Sequence, residues 1–515
     1  MRSWLFLTAG AGRQVARPML AKFCAPKQKQ LLRGASLSLD LLEPCPVESA
    51  RLKLANSSGS SVEEGSVLNT YSRLLDPRQI SSSSPNGERE ERYIRKMLGL
   101  QGGPEALGER VMPTVTPLVD MSFSSMSLHD IKRYIARYNE IQPVQNADKF
   151  VFDNSNTGIV FVIQVHTRYE ELQLLVNTLE KVKGIHTCLL LFSHDVINET
   201  FNQYISKITF APVLQIFFPF STQLYPHVFP GTHPNDCSRD DTLTAAQVKG
   251  CNNANYPDGH GHYRESQVTQ MKHHWIWMLR FAFENVRMLR QFKGVVVQLD
   301  DDCYVVEDTV HVLRKSAVLM SRDCPDCIVV LATPFWLPPE AHLLGGNRKR
   351  SATMWKKAWR TGSCVGLSFS SYIWQQLRGC ATTFCRVDDY NWDWSLLHTA
   401  HTCFENRFLK VLQPQLGRVH HTGVCRGTHV VNQEATTCTL KQVQQKIEAS
   451  LRMEELFPEN ITVVDLPLEK TLDRYTPWGG WSDPRDLALC EKLFHDDSHV
   501  DLLQIHSLVT ANNTV

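Results

Sequence analysis

The sequence predicts an α/β protein built on a doubly wound, mainly parallel sheet. Three observations predict it. From residue 158 to 218, buried-looking apolar runs alternate with segments of helical period, joined by short connections, which is the signature of βαβ units. A further β-branched run, Val295, Val296 and Val297, reaches Leu299 and halts at three consecutive carboxylates, Asp300, Asp301 and Asp302. A buried strand does this where it leaves the carboxyl edge of such a sheet, the edge at which ligands bind. Finally, cysteines bracket the irregular stretches, so the loops are expected to be stapled.

The chain has 515 residues, enough for two or three average domains or for one large α/β domain with extensions. Residues 1–34 contain Trp4, Leu5, Phe6 and Leu7 among scattered arginines and lysines, with no acid before Asp40. That pattern is closer to a mitochondrial presequence than to a secretory signal, and no stretch supplies about 20 consecutive apolar residues for a membrane anchor. The composition is rich in Ser, Gly, Pro and charge to about 125, so 1–125 is expected to be an N-terminal segment and disordered stem, and 126–515 the folded domain.

Within that domain, 128–138 suits a lead-in helix and 159–165 a buried strand. Residues 170–183 place Leu172, Leu174, Leu175, Leu179 and Val182 at helical spacing, and Gly184 ends the helix. Strands are expected at 188–192 and 212–218, with another helix between them. The Pro- and Gly-rich stretch 219–263 is an elaborate loop. A long helix follows over 267–289, with Met271, Trp275, Met278, Leu279, Ala282, Val286 and Leu289 on its core face and Lys272, His273 and His274 in a solvated first turn. Beyond the triplet come a helix at 309–320 and strands at 328–331 and 365–369. Residues 387–394 then concentrate Asp388, Asp389 and Asp393 with Trp392 and Trp394, and the 418–423 segment carries His420 and His421 near a strand end.

Composition narrows the function. A formal net charge of +1 offers no broad basic field for nucleic acid or anionic membranes. No G-x-G-x-x-G or Walker pattern is present, which argues against dinucleotide and P-loop binding. Fifteen cysteines include the near neighbours 237 and 251, 324 and 327, 380 and 385, and 425 and 438, with 403 and 490 more isolated. Zinc ligation and disulfides both fit such spacing, and the lack of a second C-x-x-C favours disulfides and an oxidising compartment. Asn56, Asn198, Asn460 and Asn512 each begin an N-glycosylation triplet. The acidic triplet suits a divalent cation holding a phosphorylated ligand, against the plainer reading of an acidic turn. The carboxylates and indoles of 387–394 suit a sugar, against a helix start whose tryptophans pack inward.

The ordered motifs Gln164-Val165-His166-Thr167-Arg168, Phe192-Ser193-His194-Asp195, Phe217-Phe218-Pro219-Phe220, Gly261-His262-Tyr263-Arg264, Lys272-His273-His274-Trp275, the acidic triplet, 388–394 and Gly479-Gly480-Trp481 together resemble N-acetylglucosaminyltransferase II across roughly 125–495. This resemblance implies a GT-A fold and a Golgi membrane-associated enzyme with a lumenal catalytic domain. It implies transfer of N-acetylglucosamine from UDP-GlcNAc, with inversion and Mn²⁺, in β1,2 linkage to the α1,6-arm mannose of N-glycans on glycoproteins. It also implies a disulfide framework among the ten paired-looking cysteines. Carried over by motif, Gln164, Val165, His166, Thr167 and Arg168 would line the nucleotide pocket, Asp195 would receive the uracil, and Gln270, Met271, Lys272, His273 and His274 would face the donor. Asp302 and His421 would hold the metal, and Asp393 would be the general base. The chain departs from the pattern in having Asp-Asp-Asp for Glu-Glu-Asp, Cys303 for a histidine, and Tyr169 for a proline. Two alternatives stay open: a transferase of the same fold with another acceptor, and a non-catalytic UDP- or glycan-binding relative.

Overall fold

The structure, a computed structural model, describes residues 117–333, 352–361, 364–423, 439–452, 455–466, 476–495 and 500–510. The expectations for the leader and the stem up to residue 116, and for Cys425 and Cys438, lie outside the described residues. All described residues belong to one compact unit.

The strands are β1 (Ile159–Val165), β2 (Leu189–His194), β3 (Val213–Phe217), β4 (Val295–Asp300), β5 (Cys303–Val305), β6 (Cys327–Val330), β7 (Thr353–Ala358), β8 (Leu367–Phe369), β9 (Lys410–Pro414), β10 (Val419–His421) and β11 (Thr462–Asp465). Nine of them form one sheet in the order β11-β7-β9-β6-β8-β4-β1-β2-β3, and β10 pairs with β5 in a small antiparallel ribbon. β1 to β4 are mutually parallel neighbours; β8 and β7 enter antiparallel, so the sheet is mixed toward one side. The first three strands are laid down in one direction from β1, whereas β4 returns to its other side. That reversal opens a crevice between the carboxyl ends of β1 and β4, where a side chain can reach a ligand from either strand. Gln164 and Asp300 are register partners at those carboxyl ends.

The central strands are apolar along nearly their whole length because helices cover both faces. Helix α1 (Leu128–Ile141) leads in, capped by Ser127, whose side chain accepts from the Asp130 N–H. The turns before it, Leu118–Asp120 and Phe123–Ser125, fall in the segment assigned by composition to the stem, yet Leu118 and Phe123 are buried against α1, Ile197 and Phe217. Few apolar residues are needed to anchor so short a turn, which is why average composition passed over it. Helix α2 (Tyr169–Leu179) ends before Gly184, whose φ of +89° turns the chain into β2.

Helix α3 (Ser266–Arg280) is shorter than the expected 267–289 helix. A π turn at Phe281–Asn285 and a 3-10 turn at Arg287–Leu289 take over, while keeping Ala282, Val286 and Leu289 buried. The apolar period thus persisted through a change of helix type that pattern alone does not register. The expected solvated first turn is corrected as well: Lys272, His273 and His274 are all buried.

Four disulfides join Cys237 to Cys251, Cys324 to Cys327, Cys380 to Cys403 and Cys385 to Cys490. The expected nearness of Cys380 and Cys385 therefore conceals a different pairing. Cys380 caps one helix and Cys385 lies inside the next, Ala381–Arg386, so each reaches a separate element rather than the other.

Candidate active site

The candidate site is built outward from the edge where β1 and β4 part. At the end of β1 the His166 N–H donates to Asp301 Oδ2 at 2.9 Å, and Asp301 N–H donates to the Gln164 carbonyl at 3.0 Å. These bonds tie the end of β1 to the acidic turn. Val165 is fully buried, so only its backbone can border the crevice, whereas Thr167 is exposed.

His166 Nδ1–H donates to Asp195 Oδ1 at 2.8 Å, and Gln270 Nε2 donates to Asp195 Oδ2 at 3.0 Å. Asp195 is buried; that alone would raise its pKa, but the His166 charge and hydrogen bond hold it below the ordinary value. Burial would lower the His166 pKa, and Asp195 more than offsets it. A carboxylate held ionised in a buried polar pocket suits recognition of an imide N–H. Ser193 Oγ and His274 Nε2 share a hydrogen bond at 2.7 Å, and burial pushes the His274 pKa down to about 4, so its ring is neutral.

The triplet divides its tasks. Gln298 Nε2 donates to Asp300 Oδ1 at 2.8 Å, Asp301 receives β1, and Asp302 turns toward β10. Its backbone carbonyl accepts from Thr422 N–H at 2.7 Å and from Thr422 Oγ1 at 2.8 Å. Its Oδ2 lies 3.1 Å from His421 Nε2 and also contacts Arg168 Nη1. A Cβ on Gly423 would collide with Asp302 Oδ2, so glycine keeps that flank clear. Burial, reinforced by the charge of Asp302, raises the pKa of Asp300 and Asp301; His421 and Arg168 keep Asp302 ionised.

The residues fit a divalent cation. Asp302 Oδ1 is buried and has no hydrogen-bond partner, and the imidazole of His421 lies beside the same carboxylate. An orphaned carboxylate oxygen is costly unless a cation satisfies it, and mixed oxygen and imidazole donors suit Mn²⁺ better than Ca²⁺. Among the described residues the one group of three or more His, Cys, Asp or Glu side chains whose ligand atoms all lie close together is Cys324, Asp326 and Cys327. Its two sulfurs are already joined in a disulfide, so Asp302 and His421 form a pair and not a complete ligand set.

Helix α3 carries the site from this edge to the 387–394 segment. Gln270 and His274 face β2, whereas Lys272, His273 and Trp275 face away from it. Lys272 Nζ donates to the Asp389 carbonyl at 2.9 Å and the Val387 carbonyl at 3.2 Å, over the Trp481 ring at 4.2 Å. Burial pulls its pKa down to about 7. His273 donates from Nε2 to the Asp486 carbonyl at 3.0 Å. Lys272 and His273 thus support the site from behind rather than lining it, and Met271 is half-buried between the two groups. Trp275 stacks on Trp392 with ring centroids 4.6 Å apart, setting the start of helix α4 (Trp392–Thr402).

Asp393 lies in the first turn of α4 and is close enough to Asp389 and Asp300 to feel their charge. Burial first, and Asp389 second, push its pKa up to about 7. A carboxylate so poised is a competent base at neutral pH. The segment that presents it is pinned by carboxylates that accept backbone N–H groups. Asp389 Oδ1 accepts from Asn391 N–H at 2.9 Å and its Oδ2 from Trp478 N–H at 3.1 Å. Asp388 accepts from Gly259 at 2.8 Å and Trp481 at 3.1 Å, and Asp258 from Gly480 at 2.8 Å. Gly479 and Gly480 sit at φ of +76° and +77°, which lets two successive N–H groups turn toward these acids. Sequence reading did not single out Asp258, Lys272 as a support, or the Asp388 and Asp389 pinning roles. The Gly-Gly pair beside several acids was the available signal.

An open, mainly parallel α/β sheet whose switch point carries a buried polar cluster around Asp195, an acidic turn at Asp300–Asp302 and a buried carboxylate at Asp393 is consistent with a GT-A-type glycosyltransferase architecture. Comparison with known proteins gives the particular family. The family model of N-acetylglucosaminyltransferase II (MGAT2) matches residues 132–490. The chain is 40% identical over 359 residues to the alpha-1,6-mannosyl-glycoprotein 2-beta-N-acetylglucosaminyltransferase of Sus scrofa, covering 69% of this chain and 78% of that protein. The Homo sapiens protein of the same name matches at 40% over the same shares, and that of Arabidopsis thaliana at 28% over 358 residues, covering 69% of this chain and 78% of that protein. The chain belongs to the N-acetylglucosaminyltransferase II family.

Proposed function

We propose that this protein transfers N-acetylglucosamine from UDP-GlcNAc, with inversion, in β1,2 linkage to the α1,6-arm mannose of N-glycans on glycoproteins. The observation that carries it is the convergence, on one sheet edge, of a metal-fitting pair, an ionised buried acceptor and a poised base. Family membership supplies the reaction class.

Asp195, held by His166 and Gln270, receives the uracil imide, and the backbone from 164 to 168 borders the nucleotide. Asp302 and His421 would hold Mn²⁺, which when bound would neutralise charge developing on the departing diphosphate. Arg168, beside Asp301 and Asp302, adds fixed positive charge at the same edge. Asp393 takes the proton from the attacking mannose hydroxyl as the new bond forms on the face opposite the leaving group. One base suffices for a single displacement, so no covalent sugar–enzyme adduct forms. The relatives' names support action on glycoproteins, and the disulfides support an oxidising compartment, for which the Golgi lumen is the proposed one. No described helix is long and apolar enough to cross a membrane.

The test is an acceptor panel with labelled UDP-GlcNAc, with and without Mn²⁺. An N-glycan with a free α1,6 mannose and a GlcNAc-capped α1,3 arm is the expected substrate, giving a metal-dependent β1,2 product. Turnover only on a different acceptor would reassign the substrate, and UDP binding without turnover on any acceptor would make the protein a non-catalytic relative.

A further inference from the structure

The site leaves unexplained a feature at the far side of the sheet. Residues 460–465 run into β11, the last strand in the sheet order, and their side chains alternate in burial. Asn460, Thr462 and Val464 are exposed, while Ile461 and Val463 turn inward and pack against the main core. Neighbouring bonds fix the approach: Lys315 Nζ donates to the Glu459 carbonyl at 2.6 Å, His311 Nε2 donates to the Pro458 carbonyl at 2.8 Å, and Thr462 N–H donates to the Ala352 carbonyl at 3.0 Å. The Asn-Ile-Thr triplet is therefore extended, with its acceptor amide and its hydroxyl on one outward face. Asn198, the other triplet within the described residues, differs: its side-chain oxygen caps a helix by accepting from Thr200 and Phe201.

We infer that Asn460 is an N-glycosylation site, carrying a glycan that covers the outer face of β11. This rests on the proposed lumenal location, for which the disulfides stand independently of the catalytic reading. In the modification, Asn460 Nδ2 bonds to C1 of the reducing-end sugar of a polyprenyl-diphosphate-linked oligosaccharide. The C1–O bond to the diphosphate breaks, its electron pair leaves with the lipid diphosphate, and the amide proton passes to solvent. Four amino acids of strand, with Val464 39% exposed and no described strand pairing its outer side, form an edge that invites association with another chain, and a bulky hydrated glycan blocks such pairing. β11 stands five strands from β4, about 24 Å at the usual strand spacing, so the glycan is far from the chemistry.

The full chain is expressed in cultured animal cells and treated with peptide-N-glycosidase in heavy-oxygen water. Peptide mass spectrometry then reads whether the Asn460 amide has become a heavy-oxygen-labelled carboxylate, and thiol alkylation reads the disulfides. The expected result is label at Asn460, lost in Asn460→Gln and in Thr462→Ala, with transfer rates within about twofold of wild type. A bare Asn460 with intact disulfides overturns the inference alone. A bare Asn460 with free thiols at 237, 251, 380, 385, 403 and 490 overturns the lumenal reading and the inference with it.

Discussion

At the scale of single residues, function divides between groups that touch the reaction and groups that hold them. Asp393 is the sharpest case: its pKa of about 7 has a named cause, burial next to Asp389. As the proposed base, Asp393 would work only when deprotonated, so transfer should fall about tenfold per pH unit below 7 and level off above it, in a pH–rate profile at saturating donor. Lys272 acts at one remove. Lys272→Met deletes both donors to the Val387 and Asp389 carbonyls and loosens the approach to Asp393. Its kcat should drop by up to about 10²-fold while the KM for the nucleotide sugar stays near wild type, a split that steady-state kinetics measures directly. The acidic triplet and the acids among tryptophans stood out in the sequence as groups suited to a cation and a sugar, while the particular roles proposed for Asp302 and Asp393 came from the family resemblance. Lys272 was legible as a motif member but not in its role. A run of Lys-His-His at a helix start reads as solvated, and only the packing of Trp481 and Phe384 over the ammonium reveals the opposite.

At the scale of elements, helix α3 is the part on which the site turns. One face reaches Ser193 on β2 and Asp195 just beyond it, and another reaches the 387–392 segment, so the proposed donor pocket and base are registered to one rigid body. The strands β1 to β4 were readable because short apolar runs separated by helical segments suit strands covered on both faces. The pairing of Cys385 with Cys490 was not readable, since 105 residues separate them and proximity in sequence pointed to Cys380. That crosslink joins the helix before the base segment to helix α5 (Pro484–His495). Replacing both cysteines with serine should cost about 4 kcal/mol in denaturant unfolding, as expected for so long a closed loop. The same helix contributes Asp486, which accepts two bonds from buried Arg264, at 2.8 and 3.0 Å. Arg264→Met leaves that carboxylate buried without its partner and should destabilise by about 3–5 kcal/mol.

At the scale of the whole molecule, chain order and sheet order together make the site. The sequence lays down β1, β2 and β3, spends residues 218–294 on loop and helix, and only then returns with β4 to the other side of β1. The long excursion supplies Asp258 and helix α3, and the return supplies the metal-fitting turn. In the proposed reaction cation and nucleotide would bind the same preformed edge and so stabilise the fold together. UDP with Mn²⁺ at about 100 times its Kd should add about 2.7 kcal/mol to stability, a rise in Tm that UDP alone or Asp302→Ala should not reproduce.

The most direct measurement is transfer of labelled N-acetylglucosamine by wild-type protein and Asp393→Asn side by side, with calorimetric titration of UDP and Mn²⁺ into both. The variant should lose about 10²–10⁴-fold in transfer while its nucleotide affinity changes little, since Asp393 acts on the acceptor proton and not on the donor. A variant that transfers at the wild-type rate would contradict the assignment of the base. Loss of nucleotide binding together with transfer would mean that Asp393 shapes the pocket rather than the reaction.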